Sequence, residues 1–310
     1  MKNARSVCHS AAQTTIEVKK FFSNTCKQVP ISTKNKENEM KRTGIHKPTI
    51  EDMIELSGVE MLHPGGFLLT KRVAEVAGLT SKMNVLDVSS GRGTQAIYYH
   101  KKFGAKITGI DISDDMVNTA KRNARQSNAN VLFKKGDSQN LDFQDNTFDL
   151  VINECAVGIP DDPQCVLNEM IRVTKPGGTV VIHESIWKKS LPLKERQTLA
   201  ERYGTTPFEI EEWELMLSKA GVHHLYKEYE KWSQPEMFWK IRKDRDVTSF
   251  FRILTLSERL STIKRIFSAL GIRGLLKGLQ NESKFQKAIL DGKIGYALFV
   301  GKKPRQAVPE

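Results

Sequence analysis

Between Asn84 and Ala96 a short apolar run, Val85 to Val88, breaks into the small residues Ser89, Ser90, Gly91 and Gly93 and then opens a helix. Backbone lacking Cβ at 91 and 93 can come close to a ligand, and the first amides of the helix offer unpaired donors to a carboxylate or phosphate. The chemistry this spacing serves is the binding of a nucleotide-like cofactor. Gly91-x-Gly93-x-x-Ala96 also fits the dinucleotide fingerprint, so by itself it leaves NAD and S-adenosylmethionine both open. A second apolar run, Ile107 to Ile110, ends in Asp111, 18 residues past Gly93 and at about the separation expected of a ribose-binding carboxylate.

A second set of side chains could handle an acceptor. In a parallel sheet, ligands sit outside the carboxyl ends of the strands. That nominates Asn153, Glu154 and Cys155 after a fourth strand, and His183 and Glu184 after a fifth. His183 could take a proton from a hydroxyl or amine, and Glu154 could orient the group that gives it. Each of them could equally be a satisfied strand end. His63 stands in the break His63-Pro64-Gly65-Gly66, where a turn between helices needs Pro and Gly for its own geometry. The four cysteines, 8, 26, 155 and 165, form no CxxC pair, which argues against a zinc ribbon or a disulfide framework. No metal is expected, and the thiols are read as reduced.

The elements that must position these groups follow from periodicity. Ile50, Met53, Ile54 and then Phe67, Leu68, Val73, Val76 and Ala77 recur at helical steps, giving two helices on either side of the His63 break. Beyond them the pattern alternates: strand 84–89, helix 94–104, strand 106–111, helix 113–126, strand 131–135, strand 148–154, helix 162–174, strand 178–184. A helix over 209–220, a strand over 222–232 and a last strand over 294–300 follow, with Leu298 and Val300 on one core face. Lys175-Pro176-Gly177-Gly178 is read as a helix stop, Gly capping in the left-handed region and Pro preventing continuation. The fold class is α/β: a Rossmann-like, seven-stranded, mostly parallel sheet with helices on both faces and a helical insertion before the last strand.

These pieces together resemble the class I S-adenosylmethionine-dependent methyltransferases, through most of the chain from about residue 50. Within that class, Leu62 to Gly66 is similar to a small-molecule subgroup, of the ubiquinone and menaquinone biosynthesis kind. The resemblance implies S-adenosylmethionine as cofactor. It implies that Asp87 and the loop from Ser89 through Gly91 to Gly93 hold the methionine part, that Asp111 takes both ribose hydroxyls, and that Met116 packs on adenine. Asp137 and Ser138, after Gly136, would read the adenine amino edge, and Asn153 is counted with the cofactor-binding residues. The family has Gly where this chain has Ser89, so that residue must find a backbone region open to L-residues. Class I enzymes also insert their closing strand antiparallel, which dinucleotide dehydrogenases do not. Methyl transfer needs an in-line acceptor and exclusion of water more than it needs a dedicated base. The catalytic candidates are His183, Glu154 and His63.

Composition limits the rest. The chain has 310 residues, 39% of them hydrophobic, enough for a proper core, and no apolar run long enough to span a membrane. Without an apolar signal region it is expected in the cytoplasm. Net charge is +12, concentrated in residues 1–47, with 10 basic and 3 acidic side chains, and in 236–303, with 15 and 6. Four segments are expected: a disordered basic tail over 1–47, a cofactor-binding core with its N-terminal helices over 48–235, a helical cap over 236–290, and the final strand and tail over 291–310. Met40 could be an internal start. In the cap, Phe238, Trp239, Phe250 and Phe251 could line an apolar pocket, with Arg242, Lys243 and Arg245 receiving an anionic group.

The function expected is methyl transfer to a small-molecule acceptor, in enzyme class 2.1.1. Three alternatives stand beside it. One is a lipid-like acceptor at a membrane, where peripheral contact through the basic amphipathic stretch 254–279 is conceivable. Another is arsenite methylation, because Val151 to Cys155 resembles the segment carrying an arsenic-binding thiol, although no cysteine follows Cys165. The third is a non-catalytic cofactor-binding protein. Nucleic-acid adenine methylation is argued against by Asn153-Glu154-Cys155-Ala156, which stands where those enzymes carry Asn/Asp-Pro-Pro-aromatic.

Overall fold

The structure is a computed structural model that describes residues 49–57, 63–160, 162–188, 190–238, 240 and 254–305. The tail expected over 1–47, Met40, and Trp239, Arg242, Lys243, Arg245, Phe250 and Phe251 lie outside the described residues.

Seven strands pair into one sheet, the central ones buried on both faces and the edge strands β3 and β6 largely exposed: β1 (Asn84–Val88), β2 (Lys106–Asp111), β3 (Leu132–Lys135), β4 (Phe148–Glu154), β5 (Thr174–Trp187), β6 (His223–Glu228) and β7 (Ile294–Lys302). Their order is β3-β2-β1-β4-β5-β7-β6. Strands β1 to β5 are mutually parallel, and β7 runs antiparallel between β5 and β6. The antiparallel closing strand meets the expectation for the class. Val85, Leu86, Asp87 and Val88 are all buried, as strands covered on both faces must be. Chain order reverses between β1 and β4, and the crevice at the carboxyl side of that switch point is where such sheets bind ligands.

Helices α1 (Ile50–Ser57) and α2 (Gly66–Ala77) precede the sheet, and α3 (Thr94–Phe103), α4 (Asp114–Gln126) and α5 (Pro163–Val173) connect its parallel strands. Their starts are legible in side-chain chemistry. Ser113 Oγ accepts from the Met116 amide at 3.3 Å, and Asp162 accepts from the Cys165 amide at 3.0 Å with Pro163 opening the helix. Four further helices follow: α6 (Leu193–Tyr203), α7 (Ile210–Lys219), α8 (Pro235–Phe238) and α9 (Leu256–Leu290).

Four readings are corrected. The Lys175 to Gly178 segment does not cap a helix: α5 ends at Val173, and Thr174 is already extended at ψ 137°. Its glycines serve a register shift inside β5, where Gly177 at φ 78° donates to the Lys303 carbonyl at 2.8 Å. Strand β6 stops at Glu228 rather than 232. Helix α6 was not foreseen, since only Leu199 and Tyr203 of it are buried and two positions make no readable period. Cys155 is in no disulfide, and β5 runs on to Trp187 rather than stopping at 184.

The described part of the insertion is dominated by α9, opened by a capping box of Thr255 and Glu258 and bent at the non-helical Gly271. One face of it packs on α1, where Met53 meets Ile266 and Leu275. Phe238 is buried against Phe285 and Tyr296, at ring separations of 5.9 and 6.0 Å, so it seals helix to sheet.

Gly178 tests the β5 irregularity. A Cβ there would lie 2.8 Å from the Lys175 carbonyl oxygen and 3.0 Å from that of Asp149, both backbone atoms that cannot swing aside. Gly178→Ala should lower stability by about 1–3 kcal/mol in urea unfolding; an unchanged midpoint would show that the bulge opens freely.

Candidate functional site

The loop after β1 bends back over β2. Ser89 (φ 60°), Gly91 (φ 52°) and Gly93 (φ 77°) all have positive φ. Ser89 thus takes the narrow left-handed region that L-residues can still enter, and the backbone keeps the path a glycine would give. The Ser90 amide donates to the Ile110 carbonyl at 2.7 Å, and the Gly91 amide to Asp111 Oδ2 at 2.9 Å. Gly93 is fixed by space as well as φ, because a Cβ there would meet Phe133 Cζ at 2.5 Å and Ala120 Cβ at 2.9 Å.

Three acids are brought together around this loop. Asp87 is buried and its Oδ2 has no hydrogen-bond partner; burial, with Glu154 and Asp111 adding repulsion, pushes its carboxyl far above the ordinary range. Burial raises Asp111 too, while the amides of Ser113, at 2.9 Å, and Gly91 pull it back. The Asp111 carbonyl accepts from the Gly136 amide at 3.0 Å, which places the ends of β2 and β3 side by side. Half-buried Met116 is in the first turn of α4, Ser138 is buried, and Asp137 Oδ1 accepts from the Gln139 amide at 2.9 Å. Asn153 is buried with its Nδ2 unpartnered and its Oδ1 accepting from the Ala156 amide at 3.0 Å.

On the other side of the switch point His63, Glu154 and His183 converge, all buried. The turn before α2 brings in His63; register pairing of β4 with β5 sets Glu154 beside His183. His63 Nε2 lies 2.9 Å from Glu154 Oε2 and His183 Nε2 3.0 Å from the same oxygen. Thr70 donates to Oε2 at 3.1 Å, and the Tyr99 hydroxyl donates to Oε1. Burial alone would raise the Glu154 carboxyl, but hydrogen bonds from His183 and His63 hold it well below the usual carboxylate range.

Protons can be counted. His63 Nδ1 is 2.8 Å from the Pro64 carbonyl and donates to it, while its Nε2 lies 3.1 Å from Thr70 Oγ1 and 2.9 Å from Glu154 Oε2. His183 Nδ1 is 2.6 Å from the Tyr296 hydroxyl, which also reaches the His183 carbonyl at 3.2 Å. The shorter contact assigns the hydroxyl hydrogen to Nδ1 and leaves Nε2–H directed toward Glu154, though off the line of a well-formed hydrogen bond. Burial lowers the His183 pKa to about 4, against the pull of Glu154, so the ring is uncharged at neutral pH. The donor atoms of the three residues lie within 4.8 Å of one another, a spacing a metal ion could also use, but the contacts are those of proton-sharing pairs.

Thr70, Tyr99 and Tyr296 were missed. Tyr99 and Tyr296 sit in phase with core positions, and their hydroxyls gave no periodic signal. Thr70, a polar residue among Leu69, Val73 and Ala74, was the one readable clue.

Glu184, next to the cluster, is buried; Val157 donates its amide to Oε1 at 2.6 Å. Burial pushes its carboxyl up to about 8, outweighing the amides of Val157, Gly158, Ser185 and Ala156. The folded state therefore holds a proton that the unfolded chain gives up near its ordinary 4.5, and stability should fall as pH rises from about 4.5 to about 8. Glu184→Gln, which keeps an amide-accepting oxygen and cannot titrate, should remove a loss on the order of a few kcal/mol across that window. Parallel stability-versus-pH curves for the two proteins would contradict the assignment.

Comparison with known proteins adds the following. A family model described as a methyltransferase domain matches residues 79–233. Phosphoethanolamine N-methyltransferase 1 of Triticum aestivum is 27% identical over 164 residues, 53% of this chain and 33% of that protein. Demethylmenaquinone methyltransferase of Staphylococcus aureus is 38% identical over 117 residues, 37% of this chain and 48% of that one. The chain thus spans about a third to a half of the length of these curated relatives. The solved structure of Haemonchus contortus phosphoethanolamine N-methyltransferase 2 with S-adenosyl-L-methionine superimposes with a TM-score of 0.62 at 21% identity, covering 86% of this chain and 60% of that one. At that identity the likeness speaks for the fold.

Proposed function

Since this chain belongs to the methyltransferase-domain family, we propose that it moves the methyl group of S-adenosylmethionine to a small-molecule acceptor held against the Glu154 cluster. The observation that carries the reading is placement. The Ser89 to Gly93 loop and the His63, Glu154, His183 cluster occupy the two sides of one switch-point crevice, with Asp87 feeling the charge of both Asp111 and Glu154.

The residues present fit such a cofactor. The unpartnered Asp87 Oδ2, buried among other acids, suits a ligand carrying positive charge, such as the ammonium and sulfonium groups of the methionine part. Asp111 keeps lone pairs beyond the two amide bonds it accepts, enough for ribose hydroxyls. Met116, Asp137 and Ser138 stand at the strand ends where an adenine would lie. When bound, the cofactor supplies an electrophilic methyl.

This chain's own groups orient the acceptor and take its proton. Glu154, on the same sheet face as Asp87, anchors the cluster against which the acceptor is held. A proton released there enters the cluster. His183 can hold it at Nδ1 once the Tyr296 hydroxyl turns its hydrogen to the His183 carbonyl 3.2 Å away, and the adjacent Glu154 carboxylate stabilises the imidazolium formed. Phosphoethanolamine and a demethylated quinone, the substrates in the relatives' names, are the first acceptors to try.

Calorimetry with S-adenosylhomocysteine and turnover with a found acceptor test the two halves separately. Asp111→Ala should weaken binding at least roughly tenfold, since contacts to a charged group are lost. Glu154→Gln and His183→Asn should bind normally but lose roughly 10²–10⁴ in kcat. No binding by the wild type would end the cofactor assignment, and full kcat in both cluster variants would return these residues to a structural role.

A further inference from the structure

Helix α9 has an apolar stripe that its own fold leaves uncovered. Thr262, Ile266, Leu275, Phe285 and Ile289 are buried. A different side carries Leu256, Leu260, Ile263 and Phe267, which follow at steps of four, three and four and so form one line along the helix. Past the bend at Gly271 the line resumes with Ile272, Leu276 and Leu279 at steps of four and three. These seven side chains are between 37% and 72% exposed, set in two lines on either side of the bend rather than scattered singly.

The exposed charges that α9 itself carries all have one sign. Lys264, Arg265, Arg273, Lys284 and Lys287 are exposed. The helix's two acids are withdrawn: Glu258 is tied into the capping box and Glu282 is buried. At 100° per residue, Lys264 flanks the first stripe, and Arg273, Lys284 and Lys287 fall along one side of the second. A second copy of this chain would bring like charges together across an apolar seam. An anionic surface meets both features at once, and no helix among the described residues is long and apolar enough to cross a bilayer.

We propose that α9 docks the protein on an anionic lipid surface, its apolar stripe entering the headgroup region and its lysines and arginines meeting the lipid phosphates. The helix lies in the plane of the interface while its opposite face stays packed on α1. This is independent of the methyl-transfer assignment, because none of the stripe residues belongs to the cofactor or acceptor site.

The test is co-sedimentation of the full chain with vesicles of phosphatidylcholine alone and of phosphatidylcholine with phosphatidylserine in equal parts. The wild type should pellet with the second and not the first, and raised salt should reduce the pelleted fraction. Leu260→Gln with Phe267→Gln, both exposed and so without cost to the core, should lose most of that binding at an unchanged melting temperature. Because this variant keeps every basic residue, including those of the N-terminal segment, equal pelleting of wild type and variant would overturn the proposal. So would failure of the wild type to pellet, or a dimer in sedimentation velocity that the same variant abolishes while no vesicle binding is seen.

Discussion

A carboxylate sealed from water at the end of β4 constrains more of this structure than any other group. Removing such an ion from water costs several kcal/mol unless its lone pairs are filled. Here they accept from the Thr70 and Tyr99 hydroxyls and face the Nε2 atoms of His63 and His183 at 2.9 and 3.0 Å, groups contributed by the entry turn and body of α2, by α3 and by β5. Tyr296 of β7 then fixes His183. Four elements distant in sequence are thereby held to one oxygen pair. A shift in any of them would leave a buried charge without its partners, so the Glu154 side of the crevice is rigid, as the proposed positioning of an acceptor requires.

The side proposed to hold the cofactor is built differently. Its geometry comes from backbone: three positive-φ residues within five positions, amides turned onto Asp111, and a glycine at 93 that lets the loop rest on Phe133. The two sides meet electrostatically at Asp87, which is raised by burial and by both neighbouring acids. A cationic ligand beside Asp87 would draw its raised carboxyl back toward the ordinary range.

What was legible followed from period and punctuation. Strand ends at Asp111 and Asn153 could be read because apolar runs stop there, whereas β5 runs on past His183 to Trp187; the Gly91 to Gly93 loop could be read because glycine has few other reasons to cluster. Ser89 looked like an obstacle, yet serine can reach the left-handed region where the loop needs it. The Lys175 to Gly178 reading failed because a bulge and a helix cap ask the same residues for the same φ. Thr70, Tyr99 and Tyr296 escaped because their hydroxyls matter only through partners up to 113 residues away, a relation no local window contains. His63 was placed near the site by resemblance alone and Glu154 by strand-end reasoning, and only the packing of α2 against the sheet brings the two within 2.9 Å.

The central claim is that the cluster stores its charge on Glu154 and keeps His183 neutral with its hydrogen on Nε2. Long-range nitrogen-proton NMR of the histidine rings across an acid titration reads both facts directly. The account predicts that His183 stays uncharged through pH 5, as the Nε2–H tautomer, and gains its second proton only near its depressed value of about 4. A His183 ring that charges near the ordinary value of about 6.5, or that carries its single hydrogen on Nδ1 at neutral pH, would contradict it.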